Sequence, residues 1–99
     1  MDEKRALALG YMQGLKTEID ELKEKRRKQI THICDRLSMI ASDHSGYTAD
    51  FDASLLDEAV RKLHSVQRDL MTKITEHNLH AERAEAGRIL TRSVIVSQS

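Results

Sequence analysis

Residues 19–30 read IDELKEKRRKQI, and residues 63–74 read LHSVQRDLMTKI. Each stretch begins and ends with a large aliphatic residue, and the two aliphatic residues are eleven positions apart. An eleven-residue step replaces a heptad of a coiled-coil seam with a hendecad, which locally straightens the supercoil. Each half of the chain carries one such step, so the two halves predict two long helices with matching irregularities.

Apolar residues continue at steps of three and four on both sides of these stretches. The first seam contains Met12, Leu15, Ile19, Leu22, Ile30, Ile33, Leu37 and Ile40, and the second contains Leu56, Val60, Leu63, Gln67, Met71, Ile74, Asn78 and Ala81. If the chain folds back on itself, facing residues have numbers that sum to about 93, and the two hendecads then lie opposite each other. This match predicts an all-α fold, an antiparallel two-helix hairpin of the coiled-coil type.

The same pairing makes two local predictions. Arg26 meets Gln67, which predicts a polar layer inside the seam that sets the register of the two helices. Leu15 meets Asn78 and Met12 meets Ala81, so we expect the seam to weaken towards the open end of the hairpin.

The turn-forming segment SDHSGYTADFDAS, residues 42–54, separates the helices. We predict a single domain over residues 1–99, with helix 1 over about 3–42, a loop over about 43–51 and helix 2 over about 52–87. Asp50, Asp52 and Ser54 are candidate N-caps of helix 2, and Gly87 is its candidate C-cap. Residues 88–99 form a tail that is either frayed or a short strand added to a partner's sheet.

The composition limits the possible classes of protein. Charged residues make up 32 % of the 99 residues and aromatic residues 3 %, with no Pro, a profile typical of long helices. The formal net charge is zero, but the 43–58 segment holds five acids and no Lys or Arg. The single Cys allows no internal disulfide, and no apolar run reaches the ~20 residues of a membrane span. We therefore expect a soluble cytoplasmic protein that does not enter membranes.

A lone two-helix seam buries little apolar surface, so a second packing surface is expected. Apolar side chains beside the seam offer one, at Cys34, Met39, Leu55, Val66 and Leu70. We expect this flank to form a homodimer with four-helix-bundle architecture or to bind another protein.

The loop offers a second candidate surface. Acidic and aromatic residues share this tip, at Asp43, Tyr47, Asp50, Phe51 and Asp52. Capping of helix 2 accounts for some of these acids, and the remaining residues suit contact with a basic groove on a partner protein.

Residue patterns that carry catalysis or bind cofactors are absent from the sequence. It contains no Gly-rich phosphate loop and no nucleophile elbow. His77 and His80 supply two ligands, fewer than zinc requires. We expect no enzyme activity, no metal and no cofactor. The basic run at residues 23–28 predicts a solvated, salt-bridged helix face, with nucleic-acid contact as the alternative.

The stretch LKTEIDELKEKRRKQI, residues 15–30, is similar in style to the first helix of bacterial transcript-cleavage factors of the Gre type. Those factors insert a hairpin with an acidic tip into RNA polymerase. The likeness covers about sixteen coiled-coil residues, and the tip segment differs from theirs, so it implies a similar shape and not membership. The sequence thus predicts a non-enzymatic interaction module, a small regulator, inhibitor or assembly factor. The alternative is a factor associated with nucleic acid or RNA polymerase.

Overall fold

A computed structural model describes residues 2–44, 46–47 and 50–92 of the chain. Two helices make up most of it: α1, Asp2–Ala41, has 40 residues, and α2, Ala53–Ala84, has 32 residues. They pack along each other in a particle that measures 72 × 26 × 18 Å. The predicted all-α helical hairpin is confirmed. In the described part of the chain, neither helix combines the length and the apolar character that crossing a membrane requires.

The first turn of α2 is capped by Asp52. Its carboxylate accepts a hydrogen bond from the Ser54 backbone N–H at 2.9 Å and a second from the Ser54 hydroxyl at 2.7 Å. These bonds lower the pKa of Asp52, the side-chain bond contributing most. Of the three candidate N-caps in the sequence, Asp52 is therefore the one that caps α2.

The end of α2 lies earlier than the sequence predicts. The helix ends at Ala84, and Glu85 takes the left-handed conformation with φ 54°, the role expected of Gly87. The Ala86 N–H then bonds to the Ala81 carbonyl at 2.9 Å, as in a Schellman motif. A non-glycine residue in this conformation is uncommon, which is why the sequence pointed to the glycine two positions later.

The register of the two helices matches the predicted sum of 93. Arg26 Nη1 donates a hydrogen bond of 2.8 Å to Gln67 Oε1 across the seam. Towards the open end, the rings of Tyr11 and His80 lie 5.0 Å apart, and their numbers sum to 91. The two hendecads therefore face each other, with the polar layer between them.

The packing along the seam differs from the expectation. The buried apolar core lies towards the open end, where Ile19, Leu70 and Ile74 form one cluster. Ala81 and Ala84 are completely buried there. Small side chains at these positions let the two helices approach closely, so the open end is the better packed half of the hairpin.

The segment that follows α2 turns back along the helices and explains much of this burial. The Asn78 side chain binds the backbone of Ile89 twice: Nδ2 donates to the Ile89 carbonyl at 3.0 Å, and Oδ1 accepts from the Ile89 N–H at 2.8 Å. The Ile89 side chain packs against the core cluster. The β-branched run at residues 94–96 lies outside the described residues.

The half of the hairpin next to the loop is more open. Seam residues that the pattern places between the helices stay accessible there: Ile30 is 43 % exposed, Leu37 42 %, Ile40 36 % and Val60 36 %. At the other end, Ile89 adds a third layer over the core cluster. The loop half therefore presents an apolar surface that the described residues leave uncovered.

Candidate interaction surface

A groove of about 690 Å³ runs along one face of the loop half, between α1 and α2. Its α1 wall follows the stripe Gln29, His32, Arg36 and Met39, and its α2 wall includes Leu55, Ala59 and Lys62. Steps of three and four residues place each wall on one side of its helix. The two helices therefore form one continuous face.

Large apolar side chains line this groove while remaining accessible. Met39 is 75 % exposed, Leu55 58 % and Phe51 44 %. Such side chains are individually ordinary on a protein surface, but a group of them in one concave face is typical of an interaction site. The groove is lined by both Met39 and Leu55, two of the five flank residues that the sequence nominated.

The other flank residues lie elsewhere. Leu70 requires a correction: it is 2 % exposed and belongs to the core with Ile19 and Ile74, so it faces no partner. Its position next to the seam residue Met71 suggested a lateral place. In the structure the core cluster to which Leu70 belongs also packs against Ile89, which adds burial that helix periodicity does not predict.

Cys34 and Val66 complete the flank set. Cys34 is exposed, but it lies five residues before Met39 and therefore about 140° away around α1. It does not line the groove. Val66 is half-buried, on α2 one turn beyond Lys62. The flank residues thus divide between the groove, the core and the opposite side of the hairpin.

The tip residues are also divided. Phe51 and Asp52, the N-cap of α2, line the groove. Asp50 is exposed, Tyr47 is 88 % exposed and Asp43 is half-buried. The acidic loop and the apolar groove are consequently neighbours and can contact the same partner.

Charge is distributed in bands along the hairpin. The loop end, residues 37–56, has three acids and no Lys or Arg. The middle, residues 23–36 together with the facing residues 57–70, has nine Lys or Arg and five acids. These bands follow each other along one rod, so a chain of zero net charge has an acidic end beside a basic middle.

Ion pairs within the helices neutralise little of the basic band. Among the described residues, the salt bridges are Arg27 with Glu24 and Lys73 with Glu18. The hydrogen bond from Arg27 lowers the pKa of Glu24. Arg26 donates its hydrogen bond to Gln67 in the seam. The remaining basic side chains of the band lie at the surface.

Inside the seam, polar contacts hold the walls of the groove together. Beside the Arg26–Gln67 layer, Gln29 Nε2 donates a hydrogen bond of 2.9 Å to the Ala59 carbonyl. Gln29 therefore links α1 to α2 at the end of the groove nearer the middle of the hairpin. These two hydrogen bonds join α1 to α2 at the boundary between the middle of the hairpin and its loop half.

Sequence patterns missed the polar cluster around Asn78. His77 is 4 % exposed, and its Nδ1 lies 3.1 Å from Asn78 Oδ1. The polar residue Asn78 at a seam position was a sign of this cluster. Its partner, the backbone of Ile89, lies eleven residues away in an irregular segment.

In the described residues, no three or more His, Cys, Asp or Glu side chains come together as a metal site. No protein-family model, curated protein or solved structure matches the chain.

Proposed function

We propose that this hairpin is a non-enzymatic protein-interaction module that binds another protein in the groove of its loop half. The observation that carries the proposal is the accessible apolar lining of the groove, with Met39, Phe51 and Leu55. Burying a side chain of this size stabilises a complex by about 1.5–3 kcal/mol. A few such anchors in one concave face supply the affinity of a typical interface.

The acidic loop adds specificity to this surface. Asp50 is exposed at the loop, and Asp52 lines the end of the groove. Acidic side chains at the edge of an apolar patch orient a partner with basic groups beside its own apolar contact and accelerate the encounter. A regulator, inhibitor or assembly factor works through a surface of this kind and requires no catalytic group.

The test begins with a photo-crosslinking amino acid at position 39, which identifies proteins that touch the groove in cells. Binding of the purified partner is then measured for the full chain, for Leu55→Asp and for Leu79→Asp. Leu79 is the matched control, because it is 52 % exposed on the same helix but outside the groove.

We expect Leu55→Asp to raise the Kd of the partner at least about tenfold, the equivalent of about 1.4 kcal/mol. Leu79→Asp should leave the Kd unchanged. Equal effects of the two substitutions, or crosslinks from position 39 that no substitution in the groove weakens, would show that the groove is not the binding surface.

The basic band supports a second candidate function, contact with nucleic acid. Nine Lys or Arg in the middle of the hairpin favour phosphate binding. The band surrounds the rod, since Lys23 and Lys25 are about 160° apart on α1, and so it provides few charges on any one face. Gel retardation of DNA and RNA at increasing salt tests this function: a steep loss of binding with salt supports it, and no retardation at about 50 mM salt refutes it.

A further inference from the structure

This inference rests on the proposed function, in which the groove is the docking surface. We propose that the groove binds a second copy of this chain, with the two hairpins antiparallel. The acidic loop end of each copy then lies against the basic middle of the other. The two copies are related by a two-fold axis, so the same contact covers both grooves.

Charge complementarity selects the second copy and its direction. The loop end of the hairpin has three acids and no Lys or Arg, and the middle has nine Lys or Arg against five acids. Parallel hairpins would place acid on acid and base on base. Antiparallel hairpins, shifted so that the loop end of one reaches the middle of the other, pair both bands at once.

The groove lies at the right place for this arrangement. Its lining extends from Gln29 to Ile40 on α1 and, on the other side, from Phe51 just before α2 to Lys62, so it overlaps both charge bands. A two-fold axis that crosses the groove near Arg36 therefore superimposes groove on groove. It also brings the Asp52 end of each groove to the Lys62 end of the other.

The uncovered seam is consistent with a second layer at this end. Ile30, Leu37 and Val60 are at least 36 % exposed in the loop half, whereas Ile89 packs over the core of the open half. A second hairpin supplies the missing layer and completes a four-helix arrangement.

The overlap of the two hairpins sets the size of the contact. About sixteen residues of overlap make a contact ~24 Å long. The hairpin is at least 18 Å wide, which gives a projected face of more than ~400 Å². Side-chain relief raises the accessible area above its projection, towards the ~800 Å² that each partner contributes to a standard interface.

The first experiment measures the mass of the full chain by light scattering and sedimentation at about 50 and 500 mM salt. A dimer has twice the 11.3 kDa mass of the chain, and we expect its Kd to rise at least tenfold between the two salt concentrations. A monomer at every concentration up to about 100 μM overturns the proposal.

Charge-reversal variants test the contact itself. Lys25→Glu with Lys62→Glu changes the basic band on the groove side, because Lys25 precedes Gln29 by one helical turn and Lys62 lines the groove. Lys23→Glu with Arg68→Glu is the matched control, with the same change in net charge on the other side of each helix. We expect at least a tenfold loss of dimer affinity in the first variant and less than a threefold change in the control.

A mixture of two charge-reversed variants tests whether the acidic residues contact the basic band of the other copy. Asp50→Lys with Glu58→Lys reverses one acidic charge at the loop end and one on the α2 wall of the groove, and this variant alone should also lose dimer affinity. Mixed with Lys25→Glu, Lys62→Glu chains, it should form a heterodimer within about threefold of the original affinity. Failure of the mixture to associate, or equal losses in the matched control, overturns the antiparallel contact.

A disulfide test fixes the direction of the two chains. In a Cys34→Ser background, chains with Asp50→Cys should cross-link to chains with Lys62→Cys, and chains with Asp50→Cys alone should not cross-link to each other. Loop-to-loop cross-linking means a parallel dimer and overturns the proposal.

The remaining outcomes separate this inference from the proposed function. If the chain is a monomer but Leu55→Asp still weakens a foreign partner, the second copy is wrong and the interaction module stands. If replacing Val94, Ile95 and Val96 with Ser turns a monomer into a dimer, the chain's own C-terminal residues occupy the groove and the inference is overturned.

Discussion

The clamp between Asn78 and Ile89 makes the sharpest prediction about stability. Asn78→Ala removes both side-chain hydrogen bonds to the Ile89 backbone. Each contributes about 0.5–1.5 kcal/mol net, so the segment after α2 should lose about 1–3 kcal/mol of local stability. The backbone amide of Ile89 should then exchange its hydrogen about 5- to 150-fold faster, whereas the Ile74 amide in the core should respond less.

Asn78→Asp is the informative companion to this variant. Its carboxylate still accepts from the Ile89 N–H but has no donor for the Ile89 carbonyl, so about half of the effect should remain. Hydrogen exchange followed by NMR at Ile89 and Ile74 distinguishes local opening from global unfolding. Unchanged exchange at Ile89 in Asn78→Ala would refute the clamp, and so would an equal acceleration at both amides.

Three further changes test the packing of the hairpin. Leu70→Ala should lower the free energy of unfolding by about 3 kcal/mol in urea, because Leu70 is 2 % exposed, whereas Leu55→Ala should cost less than about 1 kcal/mol; equal costs would contradict the described core. Arg26→Met and Gln67→Met, alone and combined, should show a coupling of about 1 kcal/mol in a double-mutant cycle, and additive effects would mean that the seam bond does not contribute. Gly14→Ala should raise stability by about 0.5–1 kcal/mol in thermal unfolding, since an added Cβ meets nothing within 4 Å, and a lower melting temperature would indicate a contact missing from the structure.

The hairpin and its register could be predicted because both follow from local periodicity. The steps from Ile19 to Ile30 and from Leu63 to Ile74 lie opposite each other when the chain folds back on itself, and this pairing places Arg26 level with Gln67. Because an α-helix repeats every 3.6 residues, the residues on one face can be identified from their spacing in the sequence.

The distribution of packing along the hairpin could not be predicted in the same way. Burial of Leu70 in the core depends on packing contacts that helix periodicity does not give, and the Ile89 segment that contributes them has no periodic pattern. The clamp joins an amide side chain to backbone atoms, which every residue possesses, so composition around Ile89 gives no sign of it. Likewise Glu85 takes the cap that Gly87 suits better by propensity, because tertiary contacts override such preferences.

The candidate surface was predicted in part. Met39 and Leu55 line the groove because their positions on the helices place them beside the seam, which periodicity reveals. Cys34 and Leu70 were predicted on the same flank, but Cys34 lies on the opposite side of the rod and Leu70 lies in the core. The angle between two side chains on one helix follows from the sequence, whereas the accessibility of a side chain depends on which other segments cover it.

The location of the core at the open end also determines how this chain can fold. The best-packed layer joins Ile19 to Ile74, which are 55 residues apart in the chain, while the contacts close to the turn are the least buried. Zipping from the turn therefore gains little at first, and most of the loop-closure entropy is lost before the tight layers form. During synthesis, the hairpin reaches its full stability only after Ile89 has emerged from the ribosome, because until then the core of Ile19, Leu70 and Ile74 lacks the side chain that covers it.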